Sequence, residues 1–312
     1  MIKARFVPLF MGVLFCLIDG VGGAAACPTP RLERVAPGVF RVAGSGGEPT
    51  AENCGRVANA GVLVGPGGAV VIDPGPSRRA GKALAQAVQR VTGRGVVAVI
   101  NTHAHPEHVL GNSAWRVPVW ASGVAADLMA RRCEQCLKRL TGEIGQGEMA
   151  GTRIRLPTQR VTGPTRVVLA GRSLLLLPFA HAHTPGDLAI LDDASGVLFA
   201  GDLAWGDAVP ALREASLAGW KQAIGALLAL RPGLVVPGHG AEAGGAVIAD
   251  TAAYLNALEQ AVQAELDAGG DLSQVTDRVV LPPWAGKAGY GREHRANVNR
   301  VFLELEAAAF ER

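Results

Sequence analysis

Asn101-Thr102-His103-Ala104-His105-Pro106-Glu107-His108 places three imidazoles and a carboxylate within six consecutive residues, in a chain that holds seven histidines in all. The run before it, Val96-Val97-Ala98-Val99-Ile100, is apolar and mostly β-branched, as a buried strand requires. Pro106 suits the first turn of a short helix, where its missing N–H costs nothing. The histidines therefore fall in the turn between a strand's carboxyl end and a helix start, where α/β sheets place their sites. His103 and His105 lie two apart and His108 three further on, so two can face one metal and the third a second.

Four further stretches repeat the pattern of an apolar run, a small-residue turn and one ligand-type residue. Val70-Val71-Ile72-Asp73-Pro74-Gly75 offers Asp73. Leu177-Pro178-Phe179-Ala180-His181-Ala182-His183-Thr184-Pro185-Gly186-Asp187 offers His183, with His181 beside it. Val197-Leu198-Phe199-Ala200-Gly201-Asp202 offers Asp202, and Leu234-Val235-Val236-Pro237-Gly238-His239-Gly240 offers His239. Taken in order, the five resemble the motifs of the metallo-β-lactamase-fold superfamily of metallohydrolases, over roughly Gly38 to His239.

That resemblance implies an α/β architecture, a four-layer αβ/βα sandwich. It also implies a ligand set. His103, His105 and His183 match the ligands of a first zinc, and Glu107, His108 and His239 those of a second. Asp202 would bridge the two, and Asp73 would orient the histidine loop from behind. Glu107 and Asp202 are then the carboxylates of the catalytic centre. Glu107 departs from the family pattern, which has Asp there. Its extra methylene adds about 1.5 Å of reach, so two zincs are expected, or one if the longer arm displaces the second. A water held between the metals would lose its proton near neutral pH and attack an ester, thioester or amide-like bond of a small molecule. Asp202 stands where β-lactamases of this superfamily carry Cys or Ser, which argues against lactams as the main substrate. The glycines that follow the first motif in glyoxalase II are absent.

Gly55-Arg56-Val57-Ala58-Asn59-Ala60-Gly61, His105 to Asn112, the Cys133/Cys136 pair and Arg295-Ala296-Asn297-Val298 look like exported SoxH-related zinc metallohydrolases. Some of these are associated with periplasmic quinoprotein or sulfur-oxidation systems, which implies possible protein partners there. A non-hydrolytic metal-binding accessory protein of such a system is the alternative reading. An iron-dependent oxidoreductase on the same fold ranks below both, because His105 stands where the diiron enzymes place Glu.

The remaining sequence bounds these readings. Lys3 and Arg5, the apolar run 6–18 and Ala24-Ala25-Ala26 form a secretory signal peptide over 1–26, too short in its apolar part to span a bilayer. Its removal leaves residues 27–312 as one domain with C-terminal helices from about 249, and no membrane span. The protein is then periplasmic or secreted, with a lipid anchor through Cys27 as the alternative. Net charge is +3 for the whole chain, without a basic block, which gives no footing for nucleic acid. Four cysteines follow the signal. In an oxidising compartment they favour disulfides, Cys133–Cys136 with Cys27–Cys54, while Cys133-Glu134-Gln135-Cys136 also suits a redox pair or half a zinc site.

Helices are expected at 77–91, 123–140, 216–230, 249–268 and 292–309, and strands at 39–43, 61–64, 69–72, 96–100, 117–120, 166–170, 173–179, 188–192, 197–200 and 233–236. Residues 141–165 lack periodicity and are expected as a loop near the active site. Trp205, close behind Asp202, is the best aromatic candidate for a pocket wall.

Overall fold

The computed structural model describes residues 27–242 and 244–310; the expected signal peptide lies outside them. Twelve strands are described: β1 Glu33–Ala36, β2 Val39–Val42, β3 Ala60–Gly65, β4 Gly68–Ile72, β5 Val96–Ile100, β6 Val119–Ser122, β7 Gln159–Val161, β8 Thr165–Leu169, β9 Arg172–Pro178, β10 Leu188–Asp192, β11 Val197–Trp205 and β12 Leu234–His239. The helices are α1 Arg78–Thr92, α2 Pro106–Val109, α3 Gly123–Ile144, α4 Gln146–Met149, α5 Leu217–Ala229, α6 Ala246–Asp267, α7 Leu272–Arg278 and α8 Tyr290–Phe310. None of the described helices is long and apolar enough to cross a membrane.

β1 to β7 form one sheet in sequence order, and the second runs β12-β11-β10-β9-β8. The pairs β4–β5 and β11–β12 are parallel. The loops that follow their carboxyl ends carry most of the ligand-type residues. The sheets pack face to face through Leu63, Val70, Ile72 and Ile100 from one and Leu174, Leu176, Leu188, Ile190 and Phe199 from the other. A fully buried Leu or Ile in such a layer contributes about 1.5–3 kcal/mol. α1 covers the outer face of the first sheet through Leu84 and Val88. α5, α6 and α8 cover the second through Trp220, Leu227, Tyr254, Leu255, Val298 and Phe302. The result is the expected αβ/βα sandwich, with the helices after residue 246 packed into the same core as β11.

Local signals explain the better-placed elements. Ser77 caps α1 by accepting from the Ala80 amide at 2.9 Å, and Gly93 ends it in the left-handed region, φ 65°. Ser216 caps α5 in the same way. β1 and β7 were not expected: each is short, partly polar and at a sheet edge, so alternation has little room to show. β11 was expected to stop at Ala200 but continues to Trp205, shifting register at Gly201. Gly201 takes φ 54°, and a Cβ on it would strike the Thr102 side chain.

Two expectations need correction. Residues 141–165 are not a loop beside the site. α3 runs on to Ile144, α4 and β7 follow, and Ile144 and Met149 pack against Leu110 and Leu140. Glu148, buried, accepts from the Ser77 hydroxyl at 2.7 Å, which ties the segment to the start of α1. Glycines and a buried carboxylate hid this packing from a periodicity reading. The second correction concerns the cysteines. Cys27–Cys54 is a disulfide, whereas Cys133 and Cys136 are free thiols. They lie within the continuous helix α3, where Cβ atoms at i and i+3 stand about 5–6 Å apart, against the ~3.5–4.5 Å a disulfide needs. The sulfur of Cys27, held by Cys54, is not available for the thioether of a lipid anchor.

Within the second sheet, Asp192 is fully buried and takes a two-pronged bond from Arg172, Nε at 2.8 Å and Nη2 at 2.5 Å, plus the Ser195 amide at 2.9 Å. Burial pushes this carboxyl up, but the Arg172 and Ser195 bonds outweigh it and hold it below the usual range. Arg172 also donates Nη1 to the Val64 carbonyl of β3, bridging the two sheets. Asp192→Ala strands this guanidinium and is expected to cost about 3–5 kcal/mol, read as a lower urea midpoint with unchanged slope. A loss below 1 kcal/mol would show the bridge to be dispensable.

Candidate metal centre

Seven side chains from four loops or strand ends of the two sheets meet in one place. Single ligand atoms of His103, His105, His183 and Asp202 lie within 4.8 Å of one another, and so do those of Glu107, His108 and His239. Asp202 stands between the groups. Its Oδ2 is 3.7 Å from His103 Nε2, 3.3 Å from His183 Nε2 and 3.4 Å from His239 Nε2, while its Oδ1 is 3.4 Å from His108 Nε2. The longer arm of Glu107 brings its carboxylate into the second group. The structure thus brings together every residue that the sequence offered as a ligand.

The bonds behind the rings show which atoms they present. Asp73, at φ 51°, accepts from the Thr102 amide at 2.8 Å and the Thr102 hydroxyl at 2.7 Å. It also pairs at 2.9 Å with His108 Nδ1. The Thr102 hydroxyl, having donated to Asp73, accepts from His103 Nδ1 at 2.9 Å. His239 Nδ1 donates to the Val57 carbonyl at 3.1 Å. Each of these rings is held through Nδ1 and turns its Nε2 inward. His105 instead offers Nδ1, 3.4 Å from His183 Nε2.

Some of the inward atoms are buried without a partner: His103 Nε2, His108 Nε2 and Asp202 Oδ1. A buried polar atom left unbonded costs about 1–3 kcal/mol. A cation between them would satisfy all three, so the donor set, nitrogen and carboxylate oxygen, fits zinc. The cluster Cys27, Cys54 and Glu148 offers no comparable site, because both sulfurs are spent in the disulfide.

The electrostatics agree with a cation site. Burial opposes ionisation of Asp202, yet His239, His108 and His103 hold its carboxyl well below the usual range. Burial works against protonation of His108, but Asp202 and Asp73 overcome it and raise it to about 9. Burial also pushes His103 well down and His183 down to about 3, the Asp202 field notwithstanding. The neutral rings keep lone pairs for a metal. At Glu107 burial pushes the carboxyl up, and the fields of His105 and His108 bring it below its ordinary value.

Several positioning residues were not singled out as such from the sequence. Asn59 accepts from the Gly44 amide at 3.0 Å and donates to the Pro237 and Gly240 carbonyls at 2.9 and 2.8 Å, clamping the turn that carries His239. Asp187 accepts from the Thr184 hydroxyl at 2.8 Å and from the amides of Thr184 and Ala182, which fixes the turn around His183. Gly238 is required by closeness, since a Cβ there would fall on Asp202 Oδ1. A turn asparagine and aspartate among small residues was the available signal. His181 points away and bonds the Glu214 carbonyl, as expected of a residue outside the ligand set.

The centre opens into a cleft of about 430 Å³, a size suited to a small molecule. Trp205 forms one wall, stacked on His239 with ring centres 4.4 Å apart. Trp115 and Trp220 are buried in the core instead. Arg213 and Arg292 stand at the rim, bound to the buried Glu293 at 2.9 and 2.6 Å and to Glu48 at 3.6 and 3.0 Å. Arg292 and Glu293 belong to α8, so the C-terminal helices help build the cleft. Cys136 and Arg139 of α3 form another part of its wall. The interaction of the two thiols and burial push Cys133 far up, while that interaction and Arg139 bring Cys136 down to about 7.

Known proteins share this architecture. A metallo-beta-lactamase from Pontibacter korlensis matches with TM-score 0.60 and 19% identity, over 73% of this chain and 99% of its own. One from Hirschia baltica matches with TM-score 0.57 and 18% identity, over 73% and 98%. The DIM-1 metallo-beta-lactamase exposed to ceftazidime matches with TM-score 0.58 and 17% identity, over 74% and 98%. At these identities the likeness is one of fold. No curated protein matches significantly in sequence. The family model of the metallo-beta-lactamase superfamily matches residues 55–239, which span Asp73 and all seven clustered residues. The chain belongs to the metallo-beta-lactamase superfamily.

Proposed function

We propose that this protein is an exported hydrolase with two zinc sites, acting on an ester, thioester or amide-like bond of a small molecule. The observation that carries this reading is the meeting of two ligand groups at Asp202, with inward-facing atoms buried and unbonded. His103, His105 and His183 would hold one zinc, Glu107, His108 and His239 the other, and Asp202 would touch both. Zinc bound there supplies Lewis acidity and lowers the pKa of water.

The chain's own residues do the rest. Asp73 and Thr102 hold Nδ1 of His108 and His103, so that the Nε2 atoms of both rings face inward. The buried walls exclude bulk water and strengthen every charge inside. Trp205 offers a flat apolar surface beside His239 for the body of a substrate. Arg213 and Arg292 present cations at the rim, partly neutralised by Glu48 and Glu293, which suits a substrate with a polar or anionic end. Asp202 in place of Cys or Ser favours substrates other than lactams. The Cys27–Cys54 disulfide supports an oxidising compartment. Asn59 and Asn297, both in the stretches that look like the SoxH-related proteins, are buried and fully engaged. The likeness of those stretches, and not the bonds, is the ground for placing the protein among those exported enzymes, with a periplasmic oxidation system as the setting.

Metal analysis of the mature protein is expected to find about two zinc ions per chain in wild type and in Glu107→Asp alike. One ion rising to two in the Asp variant would show that Glu107 leaves the second site empty. No metal in either would overturn the zinc-hydrolase reading. On an ester and thioester panel, His103→Ala and Asp202→Ala should each lose at least about 100-fold in kcat/KM, more than an outer-layer change removes. Unchanged turnover in folded variants would exclude this centre from the reaction. Asp73→Asn, which touches no metal, should weaken zinc affinity by about 10–100-fold in competition with a chelating dye. Wild-type affinity there would show that the histidine loop holds itself.

A further inference from the structure

The thiols of Cys133 and Cys136 have no part in the metal centre, yet one of them faces it. Both lie on one side of α3, a turn apart. Cys136 is half-buried and lines the metal cleft, as do Arg139, Glu107 and His105. Cys133 is buried behind it among Val109, Ala121, Ala125 and Met129. A structural disulfide would be closed, and a structural pair of core cysteines would be buried together. Here one sulfur is open to a molecule in the cleft while the other waits behind it.

We propose that Cys136 and Cys133 form a reversible dithiol–disulfide pair in the wall of the metal cleft, Cys136 attacking small-molecule disulfides and Cys133 resolving the product. The Cys136 thiolate attacks one sulfur of a disulfide RSSR. The S–S bond breaks, a Cys136–S–SR bond forms, and RS⁻ leaves and takes a proton from water. Cys133 then gives up its proton to water and attacks the Cys136 sulfur. The second RS⁻ departs, and a Cys133–Cys136 disulfide remains. Two protein thiols are oxidised and one disulfide is reduced to two thiols.

The helix makes the pair reversible. Cβ atoms at i and i+3 are about 5–6 Å apart, while a disulfide needs about 3.5–4.5 Å. Closure must therefore distort the middle of α3, and a strained disulfide is more easily reduced. Cys136, half-buried in the cleft wall that Arg139 also lines, can be reached by a dissolved disulfide while the buried Cys133 cannot, which fits the attacking role. The pair does not depend on whether the cleft hydrolyses anything.

The test is mass spectrometry of the mature, metal-bearing protein exposed to glutathione disulfide without denaturant. Peptide mapping separates this pair from Cys27–Cys54. Wild type should gain a Cys133–Cys136 disulfide that mild reductant reopens. Cys133→Ser should accumulate a glutathione mixed disulfide at Cys136, and Cys136→Ser should form none while folded. In wild-type protein, which needs no variant to fold, iodoacetamide should label Cys136 at least about tenfold faster than Cys133, following exposure and thiolate character. An adduct at Cys133 in native Cys136→Ser protein would overturn the proposal. So would equal labelling of the two thiols, no reaction of either before unfolding, or a bridge that survives reductant in the native state.

Discussion

The Asp202 carboxylate is buried among the imidazoles of His103, His108, His183 and His239, and the site depends on that arrangement. A carboxylate in a dry interior is unfavourable unless it is paired. The neutral rings of His103 and His183 pair it only partly, since burial keeps them from taking up a proton. The centre therefore gathers charge and inward-facing nitrogens that a cation would satisfy. The two sheets exist in a form that brings this carboxylate, on β11, opposite the histidine loop after β5. Gly201 and Gly238 allow the close approach. The inter-sheet core and the bond from Arg172 to the Val64 carbonyl keep the spacing.

Rigidity around the centre comes from bonds one step away from the ligands. Asp73 controls two rings through a single carboxylate and the Thr102 hydroxyl. Asn59 and Asp187 each lock a turn by bonding its amides or carbonyls. These are short polar side chains that replace missing ladder bonds at strand ends. They let an irregular backbone hold side chains as firmly as a helix would. The same logic explains why the ligands sit at the carboxyl ends of the strands, where the backbone leaves the sheet and can be steered.

The cleft is a joint product of the family core and of segments outside it. The matched region, 55–239, supplies every clustered residue. Glu48 before it, and Arg292 and Glu293 of α8 after it, build the charged rim together with Arg213 of the core. Substrate preference would then vary through the rim while the metal chemistry stays with the core. Cys136 adds a thiol to the cleft lining, so the cleft joins a hard nitrogen–oxygen site to a soft sulfur one.

The sequence alone determined the sandwich and the seven converging residues. Each ligand follows an apolar run and a small-residue turn, and this local pattern survives in one dimension. It also placed α1 and α5, because Ser77 and Ser216 write their caps beside the helices they start. Only the tertiary structure decided what residues 141–165 do. Their role rests on Glu148 meeting Ser77 about seventy positions away, and no local period records that. Only the structure showed α8 at the cleft, since its contacts join residues far apart in the chain. The thiols follow the same division. An even count of cysteines suggested two disulfides, but the pitch of an uninterrupted helix separates Cys133 from Cys136, while Cys27 and Cys54, on irregular chain, meet.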